Sequence, residues 1–164
     1  MSDNVTPEFL KTLDFLAPAT DEELRLLMPA AQVEQYPAGS RLFREGDHVA
    51  HVFVVTSGTV DLEVNGADDC PHRVQTIGAG ELLGWSPLLG PGAMTATARA
   101  ATPVRVVALD AGALLKLCTA DPRFGYHFMR RTAAALAARL DATRRQLLDA
   151  QGRGAVYAAA GSRW

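Results

Sequence analysis

The spacing of apolar positions changes twice along the chain. At the start, Phe9, Leu10, Leu13, Phe15 and Leu16 recur at helical spacing and predict a helix ended by Pro18. Thr20-Asp-Glu-Glu23 has the form of a capping box, in which the threonine hydroxyl accepts from the Glu23 amide and the Glu23 carboxylate reaches back. The helix that it opens carries Leu24, Leu27 and Met28 and is expected to close at Pro29.

From Val33 the texture becomes short runs of Val, Thr and Phe punctuated by glycine. Strands are predicted over Ser40–Phe43, His51–Val55, Thr59–Val64, Arg73–Ile77, Thr95–Ala100 and Val104–Leu109. Asn65-Gly66 reads as a hairpin turn, because both residues tolerate positive φ. Short strands without intervening helices point to an antiparallel sandwich or barrel of about eight strands. After Asp110 the helical period returns, first over Gly112–Cys118. Asp121-Pro122 then has the form of an N-cap followed by proline in the first turn. A long helix follows to about Asp149, with Phe124, Phe128, Ala135, Leu136, Leu140 and Leu147 on one stripe. Asp141 and Arg145 are spaced for an i,i+4 pair. Gly152 to Trp164 reads as a tail. The expected organisation is one domain over 1–150, with helices over 8–30, a β-roll over 33–110, C-terminal helices over 111–149 and a flexible tail over 151–164.

Composition narrows the classes. The chain has 164 residues, 48% hydrophobic and 21% charged, which suits a globular domain with its own core. A formal net charge of -2 argues against a dedicated nucleic-acid binder. Cys70 and Cys118 form no CxxC pair, so a zinc knuckle or a thioredoxin-like site has no support, and two free thiols suit a reducing cytoplasm. Met1–Pro7 has no leader pattern, and no apolar run is long enough to cross a bilayer. A cytoplasmic protein is therefore expected.

Four stretches carry a family resemblance: Leu42-Phe-Arg-Glu-Gly-Asp47, Val52-Phe-Val-Val-Thr-Ser-Gly-Thr-Val60, Gly80-Glu-Leu-Leu-Gly84 and Ala96-Thr-Ala-Arg-Ala100. With the order helices, β-roll, long helix, they resemble the cyclic-nucleotide-binding domain of catabolite-activator-type regulators, over about Leu10–Asp149. The resemblance implies a mainly β fold with flanking helices: an antiparallel β-roll or jelly roll (a double-stranded β-helix) with N-terminal helices and a long C-terminal helix. It also implies a phosphate-binding cassette between two strands. There a glutamate after the cassette glycine accepts from the ribose, and a later arginine neutralises the phosphate.

Those two slots are filled differently in this chain. Trp85 follows Gly84, and Met94 stands before Thr95-Ala96-Thr97. The cassette Gly84-Trp-Ser-Pro-Leu-Leu-Gly90 resembles a divergent Gly-Trp-Ser subgroup of stand-alone bacterial domains. Truncating the charged partner of a buried anion costs about 2–5 kcal/mol, roughly thirtyfold to several thousandfold in affinity. A degenerate cassette is therefore expected, with Leu83, Gly84, Trp85, Ser86, Leu88, Leu89, Met94, Thr95 and Ala96 around any ligand. Backbone amides at Ser86, Leu88 and Leu89 are the polar groups left to a weak nucleotide site. Arg99 matches a strand position that is structural in the family.

Other constellations are weaker. Gly78-Ala-Gly80-Glu-Leu-Leu-Gly84 approaches a dinucleotide fingerprint, but its glycine spacing is one residue too long and Pro87 interrupts the helix that should follow. His48 and His51 have no third ligand and point to different strand faces, so no metal and no cofactor is implied. His72 is expected in a hairpin loop and His127 on a polar helix face. Glu45, Asp47, Asp61 and Glu63 read as solvated or turn-capping. No GxSxG, Walker or HExxH motif occurs. Arg123, Arg130, Arg131, Arg139, Arg144 and Arg145 make the last helix locally basic, a solvated face or a docking surface for an acidic protein partner.

The leading expectation is a stand-alone, non-enzymatic regulatory sensor with a degenerate cassette. It would signal through its C-terminal helix to a partner or within a homodimer, and the resemblance implies the homodimer. No helix-turn-helix follows the long helix, so no DNA binding is expected. One alternative is a genuine cAMP or cGMP regulator that uses backbone amides with Thr95 and Thr97. The other is a cupin-like β-barrel enzyme.

Overall fold

The structure, a computed structural model, describes residues 4–90 and 92–161. Two short helices lead, α1 (Pro7–Lys11) and α2 (Asp21–Leu27). Thr6 caps α1 by accepting from the Phe9 amide. The capping box of α2 forms as the sequence predicts: Thr20 Oγ1 accepts from the Glu23 N–H at 3.2 Å, and Glu23 Oε2 accepts from the Thr20 N–H at 3.0 Å. The helix expected to run from Phe9 to Leu16 stops at Lys11 instead. Leu13 to Ala19 form turns, and the Phe15 N–H donates to the Gly80 carbonyl at 3.0 Å, a partner far along the chain that overrides local periodicity. The second helix closes before Pro29 as expected, with Met28 as its C-cap and a 3₁₀ turn over Met28–Ala30 after it.

Among the described residues eight strands follow: β1 (Ala31–Tyr36), β2 (Arg41–Phe43), β3 (His51–Ser57), β4 (Val60–Asn65), β5 (Pro71–Ile77), β6 (Leu82–Leu83), β7 (Thr97–Ala100) and β8 (Val104–Asp110). They form two antiparallel four-stranded sheets, ordered β1-β8-β3-β6 and β2-β7-β4-β5. The expected mainly β architecture with flanking helices is present, and the chain has the jelly-roll topology. Phe43, Phe53, Val55, Val60, Leu62, Ile77, Leu83, Met94, Ala98, Val104, Val106 and Ala108 fill the space between the sheets. Strands β3 and β8 bury alternate residues on their other face as well: Val52, Val54, Val107 and Leu109 are fully inaccessible. Helices contact that sheet there, with α3 (Ser86–Leu89) meeting β3 and α4 (Ala111–Ala120) meeting β8. This is why the two strands read as continuous apolar runs rather than as an alternation.

The turn after β3 depends on Gly58. Its φ is +82°, and a Cβ there would stand 2.2 Å from the Pro103 carbonyl oxygen, so no other residue fits without moving backbone. The hairpin predicted at Asn65-Gly66 joins β4 to β5, but it is longer than a two-residue turn. Asn65 pairs with Pro71, the Gly66 N–H donates to the Cys70 carbonyl, and Asp69 is the residue at positive φ. His72 lies in β5 opposite Val64 rather than in the loop, and its ring meets Asp68 at 2.9 Å.

Two compact units divide the chain, Met1–Thr132 and Ala133–Trp164. Helix α5 (Pro122–Gly161) starts in the first and continues into the second. Asp121 caps it by accepting from the Phe124 N–H at 3.1 Å. Phe124 and Phe128 are buried in the first unit; they stack at 5.8 Å, and Phe15 meets Phe128 edge-on at 5.8 Å. Within the second unit, Asp141 and Arg145 form their i,i+4 pair at 2.7 Å, while Leu140, Leu147 and Leu148 are exposed. The helix passes its expected end at Asp149, because alanines on both sides of Gly152 and Gly154 favour continuation enough to carry two glycines. Residues 151–161, read from sequence as tail, are helical, and the last three residues lie outside the described ones.

Candidate functional site

The cassette lies between β6 and β7. Strand β6 pairs with β3 through Phe53↔Leu83 and Val54↔Leu82, which anchors its entry. The chain then turns at Gly84, whose φ is +72°. A Cβ at Gly84 would stand 3.2 Å from both the Phe43 and the Phe53 rings and 3.5 Å from Met94 Cε. The glycine therefore does two jobs, adopting a left-handed conformation and letting the aromatic pair approach the backbone. Those rings stack at 6.0 Å and 22°.

Trp85 leads into α3 with helical dihedrals and offers no side-chain cap. Pro87 occupies the first turn. The Leu88 N–H donates to the Trp85 carbonyl at 3.0 Å, so this amide is engaged within the cassette itself. Ser86 is buried, as is Leu88, whereas Leu89 is exposed. After the loop, Ala93 forms an isolated bridge with His48. Met94 is then pinned by the turn that joins β2 to β3. Its N–H donates to the Asp47 carbonyl at 2.8 Å, and its carbonyl accepts from the Gly46 N–H at 2.7 Å.

The Met94 side chain is only 3% exposed and belongs to the apolar cluster with Phe43, Phe53 and Leu83. Of the residues read from sequence as lining a ligand, Leu83, Gly84 and Met94 come together in that core, with Ala96 packed against it. Trp85 is half-buried, while Thr95 is exposed. Thr97 Oγ1 accepts from the Glu45 N–H at 3.0 Å, so the hydroxyl already has a structural partner.

Residues 82–97 contain no charged side chain. The flanking charges are engaged. Glu81 Oε2 accepts from the Gly78 N–H at 2.6 Å. Arg99 Nε donates to Glu63 at 3.1 Å and its Nη1 to the Gly39 carbonyl at 3.1 Å, tying β7 to β4 and to the turn before β2. This is the structural role the sequence suggested for Arg99. Glu45, Asp47 and Asp61 likewise accept from the Asn65 amide, the Arg44 amide and the Thr76 hydroxyl. An anion placed in the cassette would meet apolar side chains and local backbone, an environment in which an uncompensated charge is costly. Among the described residues, no group of three His, Cys, Asp or Glu side chains is arranged to hold a metal ion.

The model of the cyclic nucleotide-binding domain matches residues 33–121, more than half of the chain. The chain belongs to the cyclic nucleotide-binding domain family. A CRP-like cAMP-activated global transcriptional regulator from Mycobacterium tuberculosis is 27% identical over 118 residues, 72% of this chain and 51% of the relative. The chain thus spans about half the length of the curated relatives it matches. Among solved structures, a Geobacter metallireducens protein described as cyclic nucleotide-binding superposes with a TM-score of 0.74 at 30% identity, covering 83% of this chain and 98% of that one. The catabolite activator protein of Thermus thermophilus gives a TM-score of 0.67 at 28% identity over 82% of this chain and 61% of its own. The Mycobacterium tuberculosis relative of this cyclic nucleotide-binding domain is a transcriptional regulator. No helix among its described residues is long and apolar enough to cross a membrane.

Sequence reading missed a polar cluster beside α2. Glu23, 7% exposed, accepts through Oε1 from His127 Nδ1 at 2.7 Å and through Oε2 from Arg131 Nη1 at 3.4 Å, besides its capping bond to Thr20. His127, expected on a polar helix face, meets a buried carboxylate there. Burial opposes ionisation of Glu23, but the Thr20 amide, the His127 hydrogen bond and the Arg131 charge outweigh it and hold the carboxyl below its ordinary value. Arg131 Nε and Nη2 are buried without a hydrogen-bond partner. A cleft of about 390 Å³ adjoins the cluster, lined by Glu22, Leu26, Asp121, Arg123 and Phe124 among others. The capping box was legible and the i,i+4 spacing of His127 and Arg131 was visible, but nothing in the sequence joined the two.

Proposed function

We propose that this chain is a regulatory module of the cyclic nucleotide-binding family whose cassette no longer holds cAMP or cGMP. The observation that carries this reading is the position of Met94. The family resemblance puts a phosphate-neutralising arginine in that slot, and here the side chain is a buried member of the apolar core beside Gly84, Phe43 and Phe53. Trp85, in the ribose-binding glutamate slot, removes the second anchor. Leu83, Gly84, Trp85, Ser86, Leu88, Leu89, Met94, Thr95 and Ala96 would then frame a small apolar site for an uncharged ligand. Output passes through α5, whose exposed Leu140, Leu147 and Leu148 suit self-pairing in a homodimer or docking to a protein partner. Non-enzymatic regulation is favoured because residues 82–97 carry no acidic, basic or histidine side chain that could activate the Ser86 hydroxyl.

A reading in which Thr95 and Thr97 replace the lost charges has less support, since the Thr97 hydroxyl already accepts from Glu45 and neither residue carries charge. A thermal-shift titration with cAMP and cGMP up to about 1 mM tests the proposal. A ligand at a hundred times its Kd stabilises by about 2.7 kcal/mol, a rise of several degrees. No rise is expected for either nucleotide, and a saturable rise at micromolar concentration would overturn the reading.

A further inference from the structure

The strongest unexplained feature outside the cassette is the Glu23–His127–Arg131 cluster. Three properties set it apart. First, it joins elements 104 residues apart, the N-terminal turn of α2 and the first turns of α5, all within the first compact unit. Second, one carboxylate serves both ends: Oε2 closes the capping box that starts α2, while Oε1 meets His127 and Oε2 accepts from Arg131, both on α5. Third, the cluster is incompletely satisfied. The Arg131 side chain is 12% exposed, yet two of its three nitrogens are buried without a partner. A buried donor left unpaired carries a desolvation penalty that a rearrangement can relieve.

Buried apolar side chains flank the cluster on both helices. Leu24 and Leu27 on α2 and Phe124 and Phe128 on α5 are all essentially inaccessible, and Phe128 also meets Phe15. Glu22 and Asp121 add negative charge at the rim of the adjoining cleft, and Arg123 adds positive charge. Tyr126 lies beside the His127 ring at 5.6 Å and accepts from Arg130. Among the described residues no other acidic side chain bonds His127 or Arg131, so removing the Glu23 charge leaves both without a carboxylate partner.

We infer that Glu23 is a positioning residue that latches α2 to the first turns of α5, so that losing its charge frees α2 while the β-roll stays folded. The latch acts through its own contacts and does not depend on what the cassette binds. Capping and latching are separable by mutation, because Gln at this position still reaches back to the Thr20 amide whereas it gives His127 and Arg131 no charge.

Amide hydrogen exchange of the full chain tests the inference. In Glu23→Gln, amides in Asp21–Leu27 and Phe124–Phe128 should exchange on the order of tenfold faster or more, while β3 and β8 keep their protection. Thr20→Ala, which removes only the capping acceptor, should raise exchange in the first turn of α2 and leave Phe124–Phe128 unchanged. His127→Ala, which removes the ring nitrogen that meets Glu23, should reproduce the Glu23→Gln pattern in part, and His127→Lys should restore protection by returning an N–H donor. Unchanged exchange at Phe124–Phe128 in Glu23→Gln would overturn the latch. So would an equal loss of protection in β3 and β8, which would make Glu23 a general stability residue.

Discussion

His127 Nδ1 stands 2.7 Å from Glu23 Oε1, and the other oxygen of the same carboxylate caps α2. A single side chain thereby fixes a helix start and the seat of a second helix. Because the folded pKa of Glu23 lies below the ordinary 4.5, its contribution is fully present above that value and is lost as pH falls through the folded pKa. Wild-type protection of α2, corrected for intrinsic exchange, should therefore decline more steeply below about pH 4.5 than that of Glu23→Gln. At neutral pH the β-roll of the variant should unfold near the wild-type urea concentration, the loss being confined to α2 and the first turns of α5. Amide exchange at several pH values checks the first statement and urea unfolding the second, and parallel pH profiles for α2, or a clearly lowered urea midpoint, would contradict them.

Gly84 is expected to tolerate no side chain. A left-handed conformation costs a non-glycine residue about 1–2 kcal/mol, and pressing a methyl against Phe43 and Phe53 adds roughly 1–3 kcal/mol. Gly84→Ala should lower the unfolding midpoint accordingly. Met94→Ala should cost about 2–5 kcal/mol for the opposite reason, a cavity in the same core. Denaturant titration reads both, and a neutral Met94→Ala would show that its side chain does not fill the roll.

The two thiols should react very differently. Burial pushes the Cys118 thiol above its ordinary value, which depletes the reactive thiolate, while Cys70 is exposed in the β4–β5 loop. A thiol reagent under native conditions should modify Cys70 first, with Cys118 following slowly or only on unfolding. Mass spectrometry of a time course gives the order, and equal rates would contradict the packing of α4.

Leu140, Leu147 and Leu148 are exposed, so replacing them with serine should change the stability of the first unit by less than about 0.5 kcal/mol. If α5 pairs with a second copy, the triple variant should instead shift the mass measured by light scattering from dimer to monomer. A wild-type protein that is monomeric at high concentration would remove self-pairing and leave the protein-partner form of the proposal.

The sequence revealed features that are local. The capping box at Thr20 and Glu23, the cap at Asp121, the Asp141–Arg145 pair and the runs of β3 and β8 depend on near neighbours, and each is where periodicity and spacing put it. What escaped reading depends on distant partners or on brevity. Strand β6 has only two residues, too few to show alternation. Helix α1 ends early because the Phe15 amide finds Gly80. The cassette was recognisable from Gly84 and its neighbours, but only the fold shows that Met94 points into the core and that the Thr97 hydroxyl is already engaged. The Glu23–His127 bond needed the whole chain to bring it together.

The most direct test of the central claim is calorimetric titration of the wild-type protein with cAMP and cGMP, run beside the Trp85→Glu, Met94→Arg double variant. The account predicts no binding by the wild type and measurable binding by the variant, whose two charges restore the ribose and phosphate partners. Micromolar binding by the wild type would contradict it, and would show that backbone groups of the cassette can hold a cyclic nucleotide without either charge.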